Sequence, residues 1–260
     1  MTHPPADHRA PRPTAGAPDP GRLAALWRQV VTTARRTAAE GLVVGTSGNV
    51  SARLGDVVLL TPSGIPYDRL GPHDAVGLDL TGRQVLGEAR PTSEAPLHLA
   101  VYRATRAAAV VHTHAVHATA AATLTDVLPP IHYMAADLGG PVRTAAYALY
   151  GTEELAAAVL TALEGRTGCL MRNHGALTYG ADLDQAFDRT AQLEWMCRVW
   201  LTARSGPGTP TLLTPGQLAD AARQLGGYGQ GSATTADAPA TGQAPAARDG
   251  RAAPREPGTR

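Results

Sequence analysis

The sequence contains no lysine, so all 23 of its basic residues are arginines. A Schiff base on a lysine amine and a lysine general base are therefore excluded. Chemistry at a carbonyl group would need another electron sink, and a metal ion is the obvious one.

Other absences narrow the class of protein further. The formal net charge is only +1, which gives no electrostatic case for a nucleic acid or an acidic membrane as partner. Cys169 and Cys197 do not form a C-x-x-C pair, so neither a disulfide framework nor a thiolate zinc site is predicted. No apolar run approaches the roughly 18 residues of a membrane span, and the N-terminal segment lacks the apolar stretch of a secretory signal. We therefore expect a cytoplasmic protein.

The two ends of the chain differ in composition from its middle. Residues 1–20 and 230–260 are rich in proline, alanine and polar residues and have no hydrophobic periodicity. Such segments bury too little apolar surface to offset the entropy of ordering, which predicts two disordered tails. The domain is predicted to span residues 21–229, a length sufficient for one substantial core.

Helical and strand patterns alternate within this domain. The periodicity of apolar residues predicts helices over residues 22–40, 94–106, 117–124, 152–163 and 182–204, and short apolar runs predict strands over 57–60, 108–111 and 169–171. Thr92 or Ser93 is the predicted cap of the helix that follows. The alternation indicates a mixed α/β or α+β domain.

A His-x-His pair follows the predicted strand over residues 108–111. Because side chains two apart on a strand point to one face, His112 and His114 can offer two imidazoles to one point. His174, which follows the predicted strand 169–171 and precedes a glycine, is the natural third ligand. The alternative is that all three are structural histidines of the core edge and loops.

Glu94 is the candidate fourth group, near the start of a predicted helix. Three imidazoles with a carboxylate or a water are typical of catalytic zinc, with one position left for a substrate. The carboxylate could instead be a capping charge that contributes about 0.5–1 kcal/mol to the helix.

Three short segments combine small hydroxyl residues with glycine or proline. They are residues 45–49 (GTSGN), 61–64 (TPSG) and 91–93 (PTS). Turns of this composition expose backbone N–H groups and hydroxyls, which suits a phosphate in a protein without lysine. Each could also be a plain turn, and their spacing does not show that they converge.

With these residues assembled, the chain resembles the class II aldolase/adducin family, and within it the L-fuculose-1-phosphate aldolases. Seven ordered blocks carry the resemblance, namely GTSGNVSAR (45–53), LLTPSGIPYDRL (59–70), RPTSEAPLHLAVY (90–102), VVHTHAVHATA (110–120), PPIHYMAADLGG (129–140), YGTEEL (150–155) and MRNHGAL (171–177). The resemblance implies a central, mostly antiparallel sheet flanked by helices. It further implies a C4 homotetramer with one zinc ion per subunit, held at the subunit interfaces.

The resemblance also assigns roles to residues of this chain. His112, His114 and His174 match the zinc ligands, and Glu94 matches a catalytic carboxylate that can touch the metal before substrate arrives. The positions that match a phosphate site are Gly48, Asn49, Ser63, Gly64, Thr92 and Ser93. Tyr133 matches a tyrosine that reaches a neighbouring subunit's site, and Tyr228 one that closes over substrate. Thr92 stands where serine is common and Tyr150 where phenylalanine is common.

The activity implied is reversible aldol cleavage of a ketose 1-phosphate to dihydroxyacetone phosphate and an aldehyde. Several alternatives share the site: an aldolase for 5-deoxyribulose or methylthioribulose phosphate, a ribulose-phosphate 4-epimerase, and a methylthioribulose-phosphate dehydratase. Glu94 favours an aldolase over the epimerase, because the epimerases have aspartate in the corresponding segment. A noncatalytic adducin-like interaction module is the alternative from another class of protein. It would not need to retain three histidines and Glu94.

Overall fold

A computed structural model describes residues 18–226. Its α-helices are α1 (Pro20–Ala39), α2 (Ala95–Ala104), α3 (Val116–Leu124), α4 (Glu153–Ala162), α5 (Leu183–Arg204) and α6 (Pro215–Gly226). Its strands are β1 (Asn49–Leu54), β2 (Val57–Leu60), β3 (Val76–Asp79), β4 (Gln84–Leu86), β5 (Ala109–Thr113), β6 (Val127–Leu128), β7 (Val142–Ala145), β8 (Gly168–Met171) and β9 (Gly175–Gly180). Most of both predicted tails lies outside the described residues, so the predicted domain boundaries stay predictions.

The nine strands of the described residues form one sheet in the order β4-β3-β2-β1-β5-β9-β8-β7-β6. Neighbouring strands run antiparallel except β7 and β8, which pair in parallel. Strand β5 lies at the centre of the sheet, between β1 and β9. The predicted fold class, a mostly antiparallel sheet flanked by helices, is therefore confirmed.

Helices cover both faces of the sheet, so its central strands are buried on both sides. In β5, Val110 packs into a cluster with α2 and α4, whereas its neighbours Ala109 and Val111 pack on the opposite face with α1. This explains why β5 reads as a continuous apolar run rather than as an alternating one. A strand held in this way gives a rigid support to whatever follows it.

Local sequence signals define the ends of α1. The side chain of Asp19 accepts hydrogen bonds from the backbone N–H groups of Gly21 and Arg22, and Pro20 occupies the first turn. The helix therefore begins two residues before its predicted start at Arg22. It ends at Ala39, and Gly41 then adopts a φ of 70°, a conformation that favours glycine.

The predicted cap of α2 is wrong. Glu94 is the N-cap residue, and its side chain makes no capping hydrogen bond. The Thr92 hydroxyl instead accepts a hydrogen bond from the backbone N–H of Glu94. The physical reason is that the Glu94 carboxylate turns away from its own helix toward the histidines described below.

Among residues 18–226, no helix combines the length and the apolar character that crossing a membrane would require.

Candidate active site

The His-x-His pair lies at the end of the central strand. His112 is the fourth residue of β5 and is fully buried, in register with Asn49 of β1 and Leu177 of β9. His114 comes one residue after the strand ends, and the Nε2 atoms of the two imidazoles lie 3.0 Å apart. The structure thus brings both rings to one point, although His114 is not itself part of the strand.

His174 reaches the same point from the short turn between β8 and β9. Its ring centroid lies 4.9 Å from that of His112 and 4.8 Å from that of His114. Gly175 makes this approach possible, because a Cβ atom there would lie 2.1 Å from the Thr113 carbonyl oxygen. Asn173 has a φ of 53°, a left-handed conformation that asparagine tolerates better than most residues.

Glu94 completes the cluster from the N-terminus of α2. Its Oε2 atom lies 3.1 Å from Nε2 of His112, and its Oε1 atom lies 3.3 Å from Nε2 of His174. The amide of Asn49 donates a hydrogen bond of 3.0 Å to Oε2. Oε1 is buried and accepts no hydrogen bond within the described part of the chain. A buried carboxylate oxygen without a donor calls for a cation or a bound ligand.

Burial and charge act in opposite directions on Glu94 and His112. Burial raises the pKa of Glu94, but the charge of His112 and hydrogen bonds from His112 and Asn49 outweigh it, so the pKa lies below the ordinary value. Burial likewise lowers the pKa of His112, but the Glu94 carboxylate outweighs it and the net shift is upward. The carboxylate therefore favours positive charge at the position of His112.

The other two imidazoles are held neutral. Burial, followed by the charge of His112, lowers the pKa of both His114 and His174 to about 4. At neutral pH each therefore has a free nitrogen lone pair, which is the form of histidine that binds metals.

The four side chains together fit a divalent cation. One ligand atom from each of Glu94, His112, His114 and His174 lies within 4.8 Å of the others. The separations of 3.0, 3.1 and 3.3 Å approach the spacing of about 3.3 Å between donors of a tetrahedral zinc site. Nδ1 of His112 lies 2.9 Å from the Ala176 carbonyl oxygen. A proton on Nδ1 would be bonded there and would leave Nε2 free for the cluster.

A cavity of about 450 Å³ opens above this cluster. All three of the hydroxyl-rich turns contribute to it, and its lining residues are Thr46, Ser47, Gly48, Asn49, Pro62, Ser63, Gly64, Thr92, Ser93, Glu94, His114, Tyr147, Ala148, Tyr150, Asn173 and His174. The convergence that spacing alone could not establish is therefore present. No arginine is among these lining residues, all of which belong to the described range.

Direct contacts join the three turns. Pro62 and Pro91 pair as an isolated β-bridge, which links the second turn to the third. The Asn49 amide donates to the Thr92 hydroxyl at 3.1 Å, and this links the first turn to the third. Gly48 is restricted by its surroundings, since at a φ of 88° an added Cβ would lie 2.7 Å from Val43 and 2.9 Å from the His112 carbonyl oxygen.

Tyr133, one of the two tyrosines predicted to act on substrate, is not among the described residues that line the cavity. Tyr133 lies in a short 3₁₀ helix, is half exposed and stacks on the ring of His132 at 4.3 Å between centroids. Tyr228 lies outside the described residues. Their predicted roles stay predictions.

Sequence reasoning missed some residues of the cavity. Tyr147 lines it and is largely exposed, like Tyr150. Asn173 also lines it, next to His174. The local signal for Asn173 is the residue type itself, since asparagine tolerates a left-handed backbone and is common in turns. Nothing in the local pattern distinguished Tyr147 from a surface tyrosine.

Comparison with known proteins agrees with this geometry. The family model described as "Class II Aldolase and Adducin N-terminal domain" matches residues 28–201. L-fuculose phosphate aldolase of Escherichia coli K12 is 36% identical over 206 residues, which cover 78% of this chain and 95% of that protein. A 5-methylthioribulose-1-phosphate/5-deoxyribulose-1-phosphate aldolase of Rhodospirillum rubrum is 39% identical over 186 residues, which cover 68% of this chain and 84% of that protein. A solved structure of an L-fuculose 1-phosphate aldolase superposes with a TM-score of 0.75 at 33% identity, over 78% of this chain and 96% of that one. The chain belongs to the class II aldolase/adducin family.

Proposed function

We propose that this protein is a zinc-dependent aldolase that reversibly cleaves a ketose 1-phosphate, of the L-fuculose 1-phosphate kind, to dihydroxyacetone phosphate and an aldehyde. The observation that carries the proposal is the meeting of Glu94 with three imidazoles beside a cavity lined by hydroxyl-bearing turns. Relatives that are aldolases for such phosphates support it. A noncatalytic adducin-like role is not favoured, because it would not require this buried cluster.

The metal is proposed to be zinc, one ion per subunit, held by His112, His114 and His174 with Glu94 beside them. Three imidazoles and one carboxylate are a donor set that suits zinc, and a cation bound there would take the place of the positive charge that Glu94 favours at His112. A bound divalent cation would act as a Lewis acid toward the oxygens of the substrate, the contribution that a lysine would otherwise make in a chain with no lysine.

The turns above the cluster are proposed to bind the phosphate group. Gly48 and Gly64 both have left-handed backbones, and the nearby hydroxyls of Ser63 and Ser93 are exposed. Asn49 and Thr92 lie deeper, where they are bonded to each other. Exposed N–H and hydroxyl donors can hold a phosphate without a lysine or arginine.

Glu94 is proposed to move the proton at the nucleophilic carbon. In cleavage it would give a proton to the carbon of dihydroxyacetone phosphate that has lost its bond to the aldehyde, and in condensation it would remove that proton. Its position, with one oxygen held by Asn49 and the other without a donor, suits such an exchange.

The role proposed for Tyr133 depends on the oligomeric state proposed for the protein. We propose a homotetramer in which Tyr133 of an adjacent subunit exchanges the proton on the oxygen at the cleaved carbon. Half of Tyr133 is exposed in the single chain, together with the apolar side chains of Val116 and Leu124 on α3. Packing at a subunit interface without a catalytic role is the alternative for this tyrosine. Closure over substrate by Tyr228 and a cytoplasmic location are proposed from the sequence alone.

The relatives favour a second candidate substrate at the same site. An aldolase for 5-deoxyribulose 1-phosphate or its methylthio analogue would use the same metal and phosphate groups with a smaller or sulfur-bearing aldehyde. Tyr147 and Tyr150 line the cavity with largely exposed side chains and are proposed to contact the aldehyde end of the substrate. Their two phenols would therefore decide between the candidates.

Condensation assays test the proposal and separate the candidates. The zinc-loaded protein would be incubated with dihydroxyacetone phosphate and lactaldehyde, acetaldehyde or methylthioacetaldehyde, and the ketose phosphate formed would be measured. We expect lactaldehyde to give the highest kcat/KM. A higher value with either of the other aldehydes would support the second candidate, and no ketose phosphate from any of them would contradict the aldolase proposal.

A further inference from the structure

A continuous chain of buried polar side chains runs from Glu94 into the core. Its members in order are Asn49, His98, Ser51 and Tyr102. The successive contacts are 3.0 Å from Glu94 to Asn49, 2.5 Å from Asn49 to His98, 2.6 Å from His98 to Ser51 and 2.8 Å from Ser51 to Tyr102. From the sequence, Asn49 and Glu94 were identified as candidate site residues, but His98, Ser51 and Tyr102 were not.

This chain of hydrogen-bonded side chains lies between β1 and α2, and each of these elements also contributes a residue to the site. Asn49 and Ser51 face it from β1, whereas His98 and Tyr102 face it from α2, one helical turn apart. All four are buried, and His98 and Ser51 have no exposed surface. Buried polar groups without partners are costly, so a fully bonded chain of this length fixes the conformation of each member.

The chemistry of the carboxylate sets the direction of every hydrogen bond. An ionised carboxylate only accepts, so the amide nitrogen of Asn49 must face Glu94. The amide oxygen then faces Nε2 of His98, which must carry a proton and donate it. Neutral His98 therefore has a bare Nδ1, which accepts from the Ser51 hydroxyl. Ser51 in turn accepts from the phenol of Tyr102.

These hydrogen-bond directions describe His98 as a neutral ring, and its burial between β1 and α2 agrees with that form. Burial, followed by the charge of His112, lowers the pKa of His98 to about 3. Burial likewise keeps Tyr102 protonated, because its pKa is raised above the ordinary value despite the hydrogen bond with Ser51. The donors thus all point toward Glu94 at neutral pH.

We propose that His98 is a positioning residue whose Nε2–H tautomer holds the Asn49 amide with its nitrogen toward the Glu94 carboxylate. The expected effect of His98 on catalysis rests on the proposed function of Glu94, whereas the tautomer of His98 does not depend on that function. Without the His98 donor, the Asn49 oxygen would be unpaired in the core, and rotation of the amide would remove the donor to Glu94 or place an oxygen against it. The His98 side chain is bonded to Asn49 and Ser51 and does not line the cavity, and its only hydrogen bond to Glu94 within the described residues is the backbone bond of the helix. Its imidazole therefore acts on the carboxylate through Asn49.

The tautomer can be measured directly on the full-length wild-type protein. Long-range ¹H–¹⁵N correlation of the imidazole groups at neutral pH would be recorded with and without zinc, and the His98 signals assigned by their loss in His98→Gln. We expect a protonated Nε2 and an unprotonated Nδ1 in both samples. A proton on Nδ1, whether alone or in addition to one on Nε2, would overturn the proposal.

Kinetics test the consequence for catalysis. His98→Leu should lower kcat between about 10-fold and 100-fold, because Glu94 loses a charge-assisted hydrogen bond, with KM and zinc content nearly unchanged. His98→Gln can still donate to the Asn49 oxygen and should recover most of kcat. Equal losses in the two variants, or no loss in His98→Leu, would overturn the positioning role.

Leu99→Ala is the matched control for damage to the helix. Leu99 is buried on α2 next to His98 but packs among apolar side chains. This variant should lower the melting temperature without lowering kcat per zinc-loaded chain. A fall in kcat equal to that of His98→Leu would assign the effect to lost packing and overturn the proposal. If the wild-type protein has no aldolase activity, the proposed function fails, while the tautomer still decides whether His98 orients Asn49.

Discussion

The floor and the rim of the cavity are built in opposite ways. The floor, which we define as Asn49 and Glu94 of the cavity lining together with His112, which contacts Glu94, is almost completely buried. The rim, which we define as Ser63, Ser93, Tyr147 and Tyr150, is exposed. Floor side chains are held by hydrogen bonds to one another and to paired strands of the central sheet, whereas the rim is held by turns.

This difference indicates which residues of the site are held in position by the core. Moving a floor residue requires breaking bonds in a region where an unpaired polar group costs about 1–3 kcal/mol. Rim residues can be exchanged at little cost to the fold. We therefore propose that the floor carries the chemistry common to the family and that Tyr147 and Tyr150 of the rim select the aldehyde part of the substrate.

The largest effect is expected when a metal ligand is removed. His114→Ala should leave a folded protein without bound zinc and lower kcat/KM by more than about 10³-fold. His114 is partly exposed and lies beyond the end of β5, so the sheet should persist. Zinc content, circular dichroism and turnover are measured together. Full zinc occupancy with normal turnover would remove His114 from the site, and loss of the fold in a protein that never held zinc would count against a catalytic metal.

A smaller loss is expected when the charge of the floor is removed. Glu94→Gln should keep most of the zinc, because three imidazoles remain, but should lose about 10²- to 10³-fold in kcat, within the usual contribution of a general acid or base. Zinc content and kcat are measured on the same preparation. Unchanged turnover would exclude Glu94 from proton transfer.

Alanine substitutions at two glycines compare how much the floor and the rim each contribute to the free energy of unfolding. Gly48 lies against the floor, where an added methyl group meets Val43 and the His112 carbonyl, whereas Gly64 at the rim has open space around it. Both have positive φ, so Gly64→Ala should cost about 1 kcal/mol of strain and Gly48→Ala about 2–3 kcal/mol. Urea unfolding measures both, and equal losses would show that the floor is no more constrained than the rim.

The smallest effect is expected from one hydroxyl of the rim. Ser93→Ala should raise KM for dihydroxyacetone phosphate about threefold to tenfold and leave kcat nearly unchanged, since one hydrogen bond to phosphate is lost. Ser205→Ala, which removes an exposed hydroxyl at the end of α5, is the control. A fall in kcat without a change in KM would place Ser93 in the chemistry instead.

Sequence alone predicted those elements whose local signals are strong. The helices α1, α2, α3, α4 and α5 and the strands β2, β5 and β8 were located to within a few residues. Strands β1, β3, β4, β6, β7 and β9 and helix α6 were not predicted. Strand β9 begins directly after the turn at His174, and α6 buries little beyond Leu218. Strand order was not predicted, since pairing depends on contacts distant in the chain, and the family resemblance implied only a mostly antiparallel sheet.

The residues of the candidate site also differ in how strong a signal they carry in the sequence. Histidines at a strand end and beside a glycine carry a recognisable signal, and so do turns rich in serine and glycine. His98 and Ser51 carry none, because a polar residue in a helix or strand pattern looks the same whether it faces solvent or a buried partner. Only the approach of α2 to β1 shows that they connect to Glu94.

The central claim is that imidazoles from separate segments hold one catalytic cation beside Glu94. Zinc titration of the chelator-treated full-length protein, with turnover followed at each addition, tests it most directly. The account predicts no turnover without metal and a linear recovery that ends at about one zinc per chain. Full turnover in the metal-free protein, or recovery in a variant lacking His114, would contradict it.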